Sequence, residues 1–247
     1  MRVDSPRGFV WPDPHRSPSR PNYPAYRNIR GMLQRSLSRA SKAFASKSRH
    51  SDGKARPDEV RFLQSWLQNP LRTGAVSPSG RALARTMANY VDPAQDGPVI
   101  ELGLGTGPVT AALLKRGLAE ERLVLIEYNP EFCNLLKARF PRATVIRGDA
   151  YAMKATLDGR LEAPAIAVVS SLPLFTRPVE ERNGLLDQAF ELSRPQAPFI
   201  QFTYAVVSPM PLAPARFDAH VSPRVWANLP PARVWVYRSR QERVAAA

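Results

Sequence analysis

A short apolar run that ends in three alternating glycines and opens a helix leaves few folds to this chain. The run is Val99-Ile100-Glu101-Leu102-Gly103-Leu104-Gly105-Thr106-Gly107, and Val109–Arg116 continues with helical spacing. Glycines let the backbone turn sharply and approach a ligand with no Cβ in the way. The helix start then offers N–H groups without intrahelical partners. The spacing is G-x-G-x-G, whereas dinucleotide folds use a longer G-x-G-x-x-G to seat a pyrophosphate. Glu101 adds a carboxylate at the strand end, which suits an amine better than a pyrophosphate.

After Gly97, short apolar runs alternate with helical segments, the pattern of an α/β domain with a largely parallel sheet. The expected strands are Val99–Leu102, Leu123–Glu127, Thr144–Arg147, Ile166–Ser170 and Phe199–Tyr204, and the helices Val109–Arg116, Glu131–Phe140 and Val179–Leu192. Val221–Asn228 and Arg233–Tyr237 flank Leu229-Pro230-Pro231 and read as an antiparallel hairpin closing the sheet. Val206–Phe217 is apolar but carries Pro209, Pro211 and Pro214, so it is a loop over the sheet edge or a lip for acyl chains.

Two further acids stand at strand ends. Glu127 closes the second strand, where a carboxylate accepts from ribose hydroxyls in doubly wound folds. Tyr128 follows it and can cover one face of an adenine, and Asp149 ends the third strand within reach of an adenine amino group. Each acid taken singly is more often a solvated carboxylate or a helix cap. Three of them at successive strand ends beside a glycine loop are hard to reach by chance.

Charge separates a second kind of segment. The 247 residues carry 35 Lys+Arg against 21 Asp+Glu, a net charge of +14. Residues 1–54 hold +9 of it and residues 55–247 the remaining +5, which sets the boundary between an arm and a domain. Residues 1–25 are proline-rich, and from Tyr26 a helical stripe of Ile29, Met32, Leu33, Leu37, Ala40 and Phe44 runs through an interval with no acid between Asp13 and Asp52. A basic helix with one apolar stripe is the pattern of an interfacial membrane binder. A nucleic-acid grip and a tail or self-docked helix remain open for the same segment, though nucleic acid has less use for the stripe. Further helices are expected from Asp58 to Asn69, stopped by Pro70, and around Leu83, Met87 and Tyr90.

Other totals exclude whole classes. One cysteine, Cys133, makes no internal disulfide, and with three scattered histidines it makes no four-ligand zinc site, so no metal is expected. No apolar run is long enough to span a bilayer, and no signal-peptide pattern opens the chain. The expectation is a monomeric protein of a reducing, cytoplasmic compartment, held peripherally at the inner face of the cytoplasmic membrane.

With these residues in view, the chain resembles the S-adenosylmethionine-dependent methyltransferases of the Rossmann-like class, through the Glu101–Gly107 loop, Glu127 and Asp149. More narrowly, about Arg61 to Arg238 is similar to the bacterial phospholipid N-methyltransferases, which methylate phosphatidylethanolamine. That likeness rests on Thr73-Gly74-Ala75-Val76-Ser77-Pro78-Ser79-Gly80, Val169-Ser170-Ser171-Leu172-Pro173-Leu174, Gln201-Phe202-Thr203-Tyr204 and Asn228-Leu229-Pro230-Pro231-Ala232-Arg233-Val234-Trp235.

The resemblance implies S-adenosylmethionine as cofactor, leaving as S-adenosylhomocysteine, in a pocket made by Gly74, Ser77, Glu101, Gly103, Gly105, Gly107, Glu127, Tyr128, Asp149, Ala150 and Ser170. It assigns the acceptor nitrogen to Ser170 and Ser171, with Tyr26 and Tyr204 as tyrosines that orient it. Tyr151, Leu172, Pro173, Arg177 and Arg224 are the expected substrate contacts, the arginines facing a phosphate. The related rRNA adenine dimethylases carry Asn-Leu-Pro-Tyr at the acceptor position, where this chain has Ser171-Leu172-Pro173-Leu174. A flexible aliphatic amine needs no aromatic platform, so the departure fits a lipid headgroup. An rRNA or other nucleic-acid adenine methyltransferase is the alternative, and a non-catalytic basic binding module is the third reading.

Overall fold

The computed structural model describes residues 78–211 and 213–240. The proline-rich arm, the striped basic helix, the helix expected from Asp58, and with them Tyr26, Gly74 and Ser77 lie outside the described residues.

With three short 3-10 turns between them, five α-helices and seven strands build the described region. In chain order they are α1 (Pro78–Ala88), β1 (Val99–Leu102), α2 (Pro108–Lys115), β2 (Leu123–Glu127), α3 (Pro130–Arg139), β3 (Thr144–Arg147), α4 (Met153–Leu157), β4 (Ala167–Ser170), α5 (Val179–Glu191), β5 (Phe199–Thr203), β6 (Phe217–Val221) and β7 (Arg233–Ser239). The sheet order is β3-β2-β1-β4-β5-β7-β6. β1 to β5 are mutually parallel, and β7 runs antiparallel to both β5 and β6.

The strands β1, β2 and β4 are buried along their whole length because helices cover both faces. Period-two alternation divides them between two cores. Val99, Leu123, Leu125 and Val169 meet Leu83 and Met87 of α1, Leu113 of α2 and Leu136 of α3. Ile100, Leu102, Val124, Ile126 and Val168 meet Met153 and Leu157 of α4 and Leu185 and Leu186 of α5.

The strand ends that matter for function follow from this topology. β1 lies between β2 and β4, so the chain leaves it in opposite directions, and a crevice opens where its carboxyl end faces that of β4.

One expected strand is displaced. The hairpin partner of β7 is Phe217–Val221, not Val221–Asn228. Pro223 has no N–H to give a ladder, and the Ser222 hydroxyl takes the Val234 N–H that a strand neighbour would otherwise take. Only an isolated bridge, Val225 with Ala232, survives in the expected segment. β6 escapes a reading by apolar pattern because it is an edge strand with its middle residues, Asp218 to His220, turned partly or wholly to solvent.

Candidate active site

The glycine loop, the acid-bearing strand ends and the fourth-strand motif all sit at the carboxyl edge of the parallel strands. Gly103, Gly105 and Gly107 each have positive φ, +67°, +55° and +75°. Gly103 N–H donates to the Ile126 carbonyl at 3.1 Å, and Gly107 N–H to that of Leu104 at 3.0 Å, which fixes the loop against β2. Gly107 then caps α2, whose first residue is Pro108 and whose start has no side-chain cap.

Glu127 ties two loops together. One carboxylate oxygen accepts the Gly105 N–H at 3.0 Å, and the other accepts the Asn129 N–H at 2.9 Å. Each oxygen keeps a further lone-pair site. Burial pushes the Glu127 pKa up, while the backbone donors of Asn129, Gly105 and Tyr128 pull it back. Tyr128, next in the chain, is one of the most exposed large side chains. Asp149 is exposed and caps the turn after β3 by accepting the Tyr151 N–H at 2.9 Å, with Ala150 buried beside it.

Glu101 is placed differently from the surface-facing carboxylate its position suggests. It is fully buried, and one oxygen accepts the Thr110 hydroxyl of α2 at 2.8 Å. Among the described residues its other oxygen has no partner, and burial raises its pKa to about 8.

Across the crevice, the fourth-strand motif packs directly on the glycine loop. Ser171 N–H donates to the Leu102 carbonyl at 2.9 Å, and a Cβ at Gly103 would lie 2.8 Å from a Leu172 methyl. Only glycine lets these loops approach so closely. Ser170 is fully buried, and its hydroxyl accepts the Leu172 N–H at 3.3 Å.

Gln201 had no role assigned from sequence, yet it secures this loop. Its side-chain amide donates to the Leu172 carbonyl at 3.0 Å and to that of Phe202 at 2.7 Å. Its Leu172 partner lies on another element, so no local pattern announces it. Thr110 and Asn129 were missed for different reasons: the first pairs with an acid nine residues away, the second is a helix cap directly before Pro130 that capping signals reveal.

The tyrosine and arginine candidates separate into two groups. Arg177 sits over the Tyr151 ring, 4.7 Å from its centre, and pairs with Glu181 at 3.3 Å. Burial pushes the Tyr151 hydroxyl up to about 12 against the Arg177 charge, so it stays protonated at neutral pH. Tyr204 lies edge-on to Phe202 at 5.5 Å, and its hydroxyl bonds the Asn228 side chain. Arg224 is drawn over the Trp226 ring instead, at 5.6 Å. Leu172 and Pro173 share a small cleft with Gln201, Phe202 and Tyr204. Among the described residues no group of His, Cys, Asp and Glu is arranged to hold a metal ion, and no helix is long and apolar enough to cross a membrane.

Comparison with known proteins agrees with this geometry. No family model matches the chain. An ornithine lipid N-methyltransferase of Singulisphaera acidiphila is 29% identical over 189 residues, covering 73% of this chain and 96% of the relative. A ribosomal RNA small subunit methyltransferase A of Anaeromyxobacter dehalogenans is 35% identical over 146 residues, 55% of this chain and 47% of that enzyme. The chain therefore spans nearly all of the first relative and about half of the second. The crystal structure of cofactor-bound Rv0187 from MTB superposes with a TM-score of 0.50 at 18% identity, over 76% of this chain and 99% of that one, which shows the fold.

The residues present fit S-adenosylmethionine. Among the described residues nothing lies within 4 Å of a Cβ placed on Gly105, so the loop faces open space where a ligand can approach the backbone. Glu127 has unused acceptor sites for ribose hydroxyls, and Glu101, just before the loop, has a buried oxygen unpartnered among the described residues. Hydrogen bonds to a charged group are worth about 1.5–3 kcal/mol, so Glu127→Ala is expected to weaken cofactor affinity tenfold or more in calorimetry. Unchanged affinity would remove Glu127 from the site. Sheet order, glycine loop, strand-end acids and relatives together make the chain a Rossmann-like S-adenosylmethionine-dependent methyltransferase, similar to lipid N-methyltransferases.

Proposed function

We propose that this methyltransferase acts on the primary amine of an aminolipid headgroup at a membrane surface, with phosphatidylethanolamine as substrate and its mono- and dimethyl forms as further acceptors. The observation that carries this reading is the acceptor loop. Ser171-Leu172-Pro173-Leu174 meets the cofactor loop with aliphatic side chains and has leucine at the position where the rRNA adenine dimethylases carry a base-stacking tyrosine. The likeness to an ornithine lipid N-methyltransferase supports a lipid amine as the acceptor.

The bound cofactor supplies a methyl group on a sulfonium, and the acceptor must be a neutral amine, because an ammonium has no lone pair. The protein's contribution is to hold the amine in line and to exclude water, which in well-oriented systems accounts for much of the acceleration. Gln201 fixes the Leu172 carbonyl, and the packing of Leu172 on Gly103 sets the distance between the acceptor and cofactor loops. Ser170 accepts from Leu172 and retains its own O–H as a donor beside the loop. Tyr151, neutral at working pH, presents a ring face already able to hold a cation, as Arg177 demonstrates. A methylated ammonium headgroup is held in the same way, and Arg177 is then free to meet the phosphate.

The test uses purified protein, methyl-labelled cofactor and three acceptors: vesicles containing phosphatidylethanolamine, vesicles containing ornithine lipid, and ribosomal RNA. Label is expected in phosphatidylethanolamine. Label in ornithine lipid alone keeps the aminolipid and replaces the headgroup, whereas label in RNA alone overturns the reading.

A further inference from the structure

We propose that two loops beside the acceptor cleft form a wedge that inserts into the surface of an anionic phospholipid bilayer and seats the active-site edge on it. The inference rests on the aminolipid reading above. It concerns Val206, Val207, Trp226, Leu229 and Arg224.

The four apolar members are 68%, 58%, 75% and 83% exposed, and among the described residues they are four of the six exposed large hydrophobics. Their positions are held by the fold. β5 ends at Thr203 opposite Arg233, where β7 begins, so residues 204–207 and 222–232 emerge together at the carboxyl edge of the parallel strands. The Tyr204 hydroxyl bonds Asn228, which is buried and donates to the Pro230 carbonyl at 2.7 Å. Ala205 N–H donates to the Thr203 hydroxyl at 3.0 Å, and Val225 N–H to the Ala232 carbonyl at 2.7 Å. Asn228 and Ser222 are buried and bonded, while Val206, Val207, Trp226 and Leu229 face out. Water-facing loops ordinarily show the reverse.

Charge decides what covers this surface. Residues 204–215 contain no charged side chain, and residues 222–233 contain only Arg224 and Arg233. Arg224 lies over the Trp226 ring, so a cation accompanies the most amphipathic side chain of the patch. Tryptophan at the level of the headgroups, with an arginine reaching lipid phosphates, is how proteins anchor at a bilayer interface. An acidic protein partner would meet two arginines, one of them ring-held, among exposed apolar side chains, whereas a bilayer satisfies both kinds of surface. The wedge also lies next to the chemistry. Gln201, two residues before the end of β5, holds the Leu172 loop, so a headgroup beneath the wedge is already beside the acceptor motif.

The experiment compares the full chain with a Trp226→Ser/Leu229→Ser variant, both residues being exposed and neither belonging to the glycine loop or the acceptor motif. Vesicles of phosphatidylethanolamine and phosphatidylglycerol are the interface, and a short-chain phosphatidylethanolamine below its micellar concentration is the monomeric substrate. The variant is expected to lose at least tenfold in methylation of vesicles and to keep its rate on the monomeric lipid. In the parent chain, the part of the emission removed by Trp226→Phe is expected to shift to the blue when vesicles are added. Equal vesicle rates for parent and variant, or a Trp226 emission indifferent to vesicles, would overturn the wedge. No methylation of either lipid form, with the emission shift intact, would instead overturn the aminolipid substrate and leave the wedge standing.

Discussion

Gly105→Val is expected to lower cofactor affinity more than a hundredfold while the protein still folds. The backbone at Gly105 has φ +55°, and a non-glycine residue there costs about 1–2 kcal/mol. A Cβ would meet no atom of the described residues, so no clash with them prevents folding and the melting temperature falls by an amount set by the strain alone. The open space that tolerates the side chain is, on the proposed placement of the cofactor, the space through which it approaches the backbone. Two γ-methyl groups placed there exclude it. Any rotation that relieved the strain would also carry away the N–H that holds the Glu127 carboxylate at 3.0 Å. Gly105→Ala supplies the comparison: it carries a smaller backbone strain than the β-branched valine and one methyl, so both stability and affinity fall less, affinity by the larger margin. Calorimetric titration with S-adenosylmethionine, beside thermal melts, separates the two effects. A valine variant that binds normally would mean the loop does not face the cofactor.

The parts of the fold visible in sequence are those whose physics is local. β1 and β2 begin and end where the apolar runs do, because strands covered on both faces need continuous apolar residues and stop at the first glycine or loop signal, whereas β3, at the sheet edge with Thr144 and Arg147 exposed, shows only the short run Val145-Ile146. The glycine loop and Glu127 are visible for the same reason: a strand end fixes where the next residues must point. β6 was hidden because an edge strand is released from that requirement, and Asp218 and His220 erase the pattern. Pro223 had already argued against the segment expected in its place. In the site, Gln201 and Asn228 were invisible as functional groups since their partners, the Leu172 carbonyl and the Tyr204 hydroxyl, come from elements brought together only by sheet order. Arg177 and Arg224 show the opposite limit. Their charge was legible, but not the rings of Tyr151 and Trp226 that hold them.

Glu101 provides the second large effect, and it acts on stability. The side chain is fully buried, bonded to Thr110 through one oxygen and, among the described residues, unpartnered at the other. Desolvation, only partly offset by the Thr110 bonds, lifts its pKa to about 8, so near neutrality the folded protein carries a proton that the unfolded chain has released. A raised carboxylate pKa contributes stability below the unfolded value that is lost as pH rises through the folded one. Unfolding free energy is therefore expected to decline from about pH 5 to pH 8, at up to roughly 1.4 kcal/mol per pH unit. Glu127 is shifted in the same direction by burial, so the wild-type curve sums both groups. Glu101→Gln isolates one of them: a neutral amide of the same shape needs no proton. In urea unfolding across this range, the variant is expected to show a shallower slope and to overtake the wild type near pH 8. Parallel curves would mean that Glu101 is ionised in the folded state and has found a cation that its surroundings here do not provide.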